Sequence, residues 1–274
     1  MEKVKLAILD MNNKTPNQGL RCIRDIVIGF EDQVDWQIFD VRAEGELPDL
    51  SYDIFICSGG PGSPLDGGAW KDRFFELIDG AWQLNQSHPP TKKYFFFICH
   101  SFQMACEHFG LGEITERKTT SFGVYPVHKT EAGKRDRLLE GLPDPYHAVD
   151  SRDWQLVQPR LEVFEEHGAT ILSLEKIRTH VEYERAIMAV RFSPEFVGTQ
   201  YHPEADPIGM KAHFSKSEMR QKVVDNFDEK KYEDMMDHLE DPDKIALTYQ
   251  TMIPGFIRRS LDALNHQRFA LVKP

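Results

Sequence analysis

Tyr94-Phe95-Phe96-Phe97-Ile98 is an unbroken apolar run, and an amphipathic stretch opens directly behind it at Cys99. A strand with no polar alternation cannot leave either face to water, so both faces must be covered. Helices on either side of a parallel sheet supply that cover. The residues before the run alternate in the same way. Val4–Leu9 is strand-like, and Leu20, Ile23, Val27 and Phe30 recur at helical spacing. Trp36–Val41 alternates again, Ile54–Cys57 is a short buried run, and Trp70, Phe74, Leu77, Ile78, Ala81 and Leu84 mark a second amphipathic helix. This alternation predicts right-handed crossovers and an α/β fold: an open three-layer sheet, largely parallel.

After Gly112 the texture changes. Glu113–Arg117, Phe122–His128, Ala169–Leu174, Ala186–Phe192 and Phe196–Tyr201 read as strands separated by turns, a more antiparallel half. Ser215-x-x-Glu218 reads as a capping box ahead of Met219, Val223, Val224 and Phe227 at helical spacing. Tyr232, Met235, Met236 and Leu239 continue the pattern to Asp241-Pro242. A last stripe runs from Ile245 to Leu264, with Pro254 as a kink. The expected division is an α/β domain over residues 1–205 and a helical extension packed on it over residues 206–274.

Composition excludes several classes of function. A net charge of −11 argues against sequence-independent nucleic-acid binding, which needs a basic face. The longest apolar run, Tyr94–Cys99, is far too short to span a bilayer, so no membrane partner is expected. Cys22, Cys57, Cys99 and Cys106 are too scattered for a disulfide framework and contain no C-x-x-C pair, so no metal site is expected. The opening residues form a strand pattern rather than a leader. A cytoplasmic, reduced, soluble protein is the expectation.

Three segments carry candidate chemistry. Cys99 stands between a strand and an amphipathic stretch, the layout of a nucleophile elbow, and a helix N-terminus favours a thiolate. The plainer alternative is a small buried hydrophobe at a strand end. In His202-Pro203-Glu204 the first and third residues of an extended segment point the same way, so the carboxylate can hold the imidazole in one tautomer; a surface turn is the alternative. Ser58-Gly59-Gly60-Pro61-Gly62-Ser63-Pro64 can aim an N–H at a developing oxyanion. As a phosphate cradle it fails, because no Gly-Lys-Ser/Thr follows and the prolines remove donors, and no cofactor is expected.

In this order and spacing, the three segments resemble class I (triad) glutamine amidotransferases, especially the GMP-synthase-like glutaminase group, which implies a flavodoxin-like fold. The resemblance spans roughly residues 4–205 and includes Ser121-Phe122-Gly123, Leu138-Leu139-Glu140-Gly141-Leu142-Pro143 and Gly198–Glu204. It implies Cys99 as nucleophile, His202 as general base and acid, and Glu204 as its orienter. The backbone N–H groups of Gly60 and His100 would form the oxyanion hole, and Gln103 would line the glutamine pocket.

The match has departures. The family elbow reads Gly-x-Cys-x-Gly-x-Gln, and Phe97 and Ser101 occupy the glycine positions here; Phe97 is expected to reshape the pocket. Asp150-Ser151-Arg152-Asp153 stands where the family has a Ser-His-Gly-Asp-like stretch that contacts glutamine. Ser151 and Arg152 are therefore candidate substrate-binding residues, with Arg152 either reaching a carboxylate of a γ-glutamyl compound or standing as a solvated surface charge. The sequence carries no ATP-pyrophosphatase loop, so ammonia would pass to a synthetase on a partner subunit, or the protein is a free-standing hydrolase. The helical tail would cover the cleft or form a homodimer face. Three functions stay open: glutamine hydrolysis, γ-glutamyl peptide hydrolysis, and a regulatory module with a vestigial site.

Overall fold

The computed structural model describes residues 2–177 and 184–272. Its first half runs β1 (Val4–Asp10), α1 (Gln18–Ile28), β2 (Val34–Asp40), β3 (Ile54–Cys57), α2 (Ala69–Gln86), β4 (Tyr94–Ile98) and α3 (His100–His108). Then follow β5 (Glu113–Lys129), β6 (Tyr146–Val157), α4 (Leu161–His167), β7 (Thr170–Leu174), β8 (Ile187–Arg191) and β9 (Phe196–Thr199). Four helices complete it: α5 (Pro207–Phe214), α6 (Ser217–Asn226), α7 (Glu229–Glu240) and α8 (Leu247–Val272).

The strands form one sheet in the order β2-β1-β3-β4-β9-β8-β7-β5-β6. The first five are parallel and the rest antiparallel. Side-chain alternation sorts the central strands between two cores. Leu6, Ile8, Ile54, Ile56, Phe96 and Ile98 meet α1 and α8, the latter through Met252, Ile253, Phe256, Ile257, Leu261 and Leu264. Ala7, Leu9, Phe55, Cys57, Phe95 and Phe97 meet α2 and α3 on the opposite face. All five residues of β4 are buried, as a doubly covered strand requires.

The chain after residue 205 has two parts with different roles. Helix α8 is a full layer of the core and is tied to the sheet by Arg268, which donates to Asp53 at 2.8 Å, beside the buried Lys93–Asp53 pair at 2.9 Å. Helices α5–α7 build a third, smaller core against Val124 and Val149. The expected capping box is not formed. Ser215 ends α5 instead, its hydroxyl donating to Lys211 O at 2.8 Å, and Lys216 takes the N-cap position of α6 without a side-chain cap. Asp206 caps α5 through the Gly209 N–H, with Pro207 in the first turn.

Two further differences from the sequence pattern bear on the site. The segments expected at Glu113–Arg117 and Phe122–His128 are one strand, β5, with a register irregularity between Glu116 and Ser121. Its partner β6 has no apolar signature, because Asp150 and Arg152 occupy buried positions in it. The β5–β6 pair curls back over the sheet, and the His202 N–H donates to Val149 O at 2.8 Å to close an isolated antiparallel bridge. That curl brings β6 to the ends of β4 and β9.

Candidate active site

Strand β4 ends at Ile98, and Cys99 turns the chain sharply into α3 with φ +48° and ψ −99°. A side chain in that region costs on the order of 1–3 kcal/mol, and the cost is sustained where surrounding contacts fix the turn. Here the Cys99 N–H donates to Thr199 O at 2.8 Å, joining the elbow to β9. Ser101 adds a second fixture. Its hydroxyl accepts the Ile98 N–H at 2.8 Å and lies 2.9 Å from Cys57 O, so it stitches the ends of β3 and β4 together.

Phe97 does not reshape the pocket. Strand alternation turns it to the α2/α3 face, where it is fully buried with its ring 5.6 Å from Phe95 and 5.7 Å from Phe192. Its register partner is Gly198, where an added Cβ would lie 3.0 Å from Phe97 Cβ and 2.8 Å from Phe102 Cδ2. The bulk gained at the elbow is thus accommodated by a missing side chain on β9.

Strand β9 delivers Gln200, His202 and Glu204. Glu204 Oε1 lies 2.7 Å from His202 Nδ1, which leaves Nε2 for the cleft that His202 shares with Cys99. The Glu204 side chain is 1% exposed. The first turn of α1 lies against this carboxylate: a Cβ on Gly19 would sit 3.0 Å from Glu204 Oε1. A helix N-terminus favours an anion there. That turn is set by Asn17, which caps Leu20 N–H at 3.1 Å and is linked through Asn12 to Asp10. Burial works against a charge on His202, but Glu204 and then Cys99 outweigh it and hold its pKa well above the ordinary value.

The Ser58–Pro64 loop closes the other side. Gly59 and Gly60 are required by close approach: a Cβ would meet His202 Cε1 at 2.9 Å from the first and Met11 O at 2.3 Å from the second. Three side chains pin the loop. Ser58 Oγ accepts the Met11 N–H at 2.9 Å, Arg42 donates to Pro61 O at 2.6 Å, and Lys71 donates to Pro64 O at 2.7 Å. His100 follows Cys99 in the first turn of α3, where N–H groups have no intrahelical acceptor. Burial, then Arg42 and Lys71, push its side-chain pKa down to about 3, so that imidazole is neutral.

Gln103 Nε2 donates to Trp154 O and to Gln200 Oε1, each at 3.0 Å. Gln200 Nε2 in turn lies 3.7 Å from Cys99 Sγ. Gln200 is not among the residues that the sequence singles out, although its place two residues before His202 on an extended segment is the signal that marks it. Ser151 is exposed in the cleft, and its carbonyl accepts from the Cys99 thiol at 3.7 Å. Arg152 is not a solvated charge. Its side chain is 1% exposed, Nε donates to both oxygens of Asp150 at 2.9 and 3.1 Å, and the Nη atoms are shut off from solvent, one of them 3.4 Å from Glu175.

Cys99, His202, Glu204, Gln103, Ser151 and the Ser58–Gly62 loop line one cleft of about 430 Å³. Met210 and Phe214 of α5 and Phe122 of β5 also line it, and the two residues of α5 belong to no motif. Burial raises the Cys57 and Cys106 thiols well above the ordinary value and Cys22 to about 12. Among the described residues no cluster of three or more His, Cys, Asp or Glu could hold a metal, and no helix is long and apolar enough to cross a membrane.

The family model for glutamine amidotransferase class-I matches residues 25–222, well over half of the chain. The chain belongs to the class I glutamine amidotransferases. Solved structures of this amidotransferase fold include a glutamine amidotransferase from Thermotoga maritima, 17% identical, with a TM-score of 0.66 and cover of 96% of this chain and 100% of that one. A GMP-synthase-subunit protein from Thermoplasma acidophilum is 13% identical, with a TM-score of 0.56 and cover of 100% of both chains. The glutaminase domain of the Trypanosoma brucei CTPS, solved with bound acivicin, is 15% identical over 74% of this chain and 86% of that one, with a TM-score of 0.54. Likeness at these identities concerns the fold alone. No curated protein matches the chain.

Proposed function

We propose that this class I amidotransferase hydrolyses a γ-glutamyl amide, glutamine being the simplest, through a thioester on Cys99. The observation that carries the reading is the strained elbow cysteine on one cleft with His202, itself held by Glu204 at 2.7 Å, with Gly59 packed so closely between them that a Cβ there would lie 2.9 Å from the His202 ring and 3.5 Å from Cys99 Cβ. An ionised thiol is the nucleophile, and an adjacent imidazole is what ionises it near neutral pH. The Cys99 sulfur attacks the amide carbon, and the carbonyl oxygen becomes an oxyanion. Backbone N–H groups of Gly60 and His100 stabilise that charge from a fixed loop and a helix terminus.

As the tetrahedral adduct collapses, the C–N bond breaks and His202 delivers its proton to the departing nitrogen. The now neutral imidazole takes a proton from water, whose oxygen attacks the thioester and releases glutamate. Glu204 keeps the ring in register through both proton transfers. Gln103 acts at one remove, by holding Gln200 against the sulfur. The released ammonia would pass to a partner synthetase or to solvent. The test is glutamate release by the full chain: Cys99→Ala should abolish it and Glu204→Gln should lower kcat. A wild-type chain inert toward glutamine and toward substituted γ-glutamyl amides would overturn the proposal.

A further inference from the structure

The leaving nitrogen must face His202, because that ring supplies its proton. Whatever the nitrogen carries therefore projects past His202, and the structure shows what waits there. The Val149 carbonyl takes the His202 N–H at 2.8 Å, and the Val149 side chain begins an apolar wall. Ala205 continues it, followed by Met210 and Phe214 of α5 and by Phe122, whose ring stands edge-on to Phe214 at 5.2 Å. His213 is the one titratable side chain that α5 places on the cleft.

Ammonia has no use for such a wall, and a cleft of about 430 Å³ is in the range that holds drug-sized ligands, roughly 300–1,000 Å³. A leaving group bearing a carboxylate is also a poor fit. Arg152, the one Arg or Lys among the described residues lining the cleft, is committed to Asp150 and closed to solvent, and Asp153 beside it is an exposed acid on the cleft.

We infer that the wall formed by Val149, Ala205, Met210, Phe214 and Phe122 is a leaving-group subsite, and that the substrate is a γ-glutamyl amide whose nitrogen bears an apolar alkyl or aryl group. The inference rests on the hydrolytic reading above. In the step, the Cys99 sulfur bonds to the acyl carbon, the C–N bond breaks, and the nitrogen takes the His202 proton and leaves as the free amine. Water then adds hydroxide to the acyl carbon and returns a proton to His202, and the C–S bond breaks to restore the Cys99 thiolate, so that glutamate and a primary amine are the products and nothing is oxidised or reduced.

The experiment compares kcat/KM of the full chain for γ-glutamyl-isobutylamide, glutamine and γ-glutamylglycine, alongside labelling of Cys99 by a glutamine-like diazoketone. Isobutylamine leaves no more readily than ammonia, so any gain must come from the wall. The isobutylamide should exceed glutamine at least about tenfold, the discrimination that added methylenes give in an apolar pocket. Met210→Asp should collapse that ratio and Met210→Leu should preserve it. Glutamine or γ-glutamylglycine ranking first, with Cys99 still labelled, would overturn the subsite and leave the hydrolytic reading standing. Three inert substrates and an unlabelled Cys99 would overturn both.

Discussion

Replacing Gly60 by alanine puts a methyl group 2.3 Å from the Met11 carbonyl oxygen, about 1 Å inside ordinary contact. Gly60 is not among the glycines at positive φ, so the crowding is the whole perturbation. Met11 cannot simply retreat. Its N–H is held by Ser58 Oγ at 2.9 Å, and its carbonyl accepts from Arg42 at 3.2 Å. The loop must therefore move, carrying the Gly60 N–H away from the oxyanion by about that amount. A 1 Å misplacement costs about 10²-fold, and loss of one oxyanion donor about 10²–10³-fold. Gly60→Ala should thus lower kcat for γ-glutamyl amide hydrolysis about 10²-fold, with KM changed little and Cys99 still reactive toward a diazoketone. Gly67→Ala, where an added Cβ meets nothing within 4 Å, is the control and should leave kcat unchanged. Steady-state kinetics with thermal unfolding curves decide it. A Gly60→Ala enzyme within threefold of wild type and equally stable would refute the assignment of that loop to the transition state.

Other outcomes follow from the same geometry. His202 is held protonated beyond its ordinary range by Glu204 and Cys99 against the effect of burial, so activity that needs the imidazolium persists through neutral pH and falls on the alkaline side. Glu204→Gln removes the carboxylate that raises this pKa, and the alkaline limb of the kcat/KM profile should move to lower pH; an unmoved limb would count against the pair. Phe97→Ala empties a fully buried site and should cost about 3–5 kcal/mol in denaturant unfolding while leaving KM unchanged, since the ring lies outside the cleft. Ending the chain at Ala246 strips α8 from one face of the sheet and bares Phe96, whose ring Phe256 covers at 5.3 Å. Such a chain should show no cooperative unfolding by calorimetry, whereas a helix that was merely appended could be lost without that effect.

How much of this the sequence disclosed depends on whether the local pattern matched the tertiary environment. β4 and β3 were legible to the residue because burial on both faces writes a continuous apolar run, and the elbow followed from what comes next. The stripe of α8 was legible as a helix, but a stripe does not say which surface it covers, so its place as a core layer was not. β6 was invisible because an Asp150–Arg152 pair replaces the apolar signal on its buried face. The same concealment made Arg152 look like a surface or substrate-facing charge. Serine at the second elbow position read as a tolerated departure, while its actual bonds to Ile98 and Cys57 need two strands in register before they exist. The apolar wall at α5 depends on the curl of β5 and β6, a long-range feature that no window of sequence contains.

The most direct test of the central claim is covalent labelling of the native chain by a glutamine-like diazoketone, read by intact-mass and peptide mass spectrometry with a His202→Ala control. One adduct per chain on Cys99, none on Cys22, Cys57 or Cys106, and slow labelling of the His202→Ala protein are the results predicted. Adducts on another cysteine, or a Cys99 that reacts equally well without His202, would contradict it.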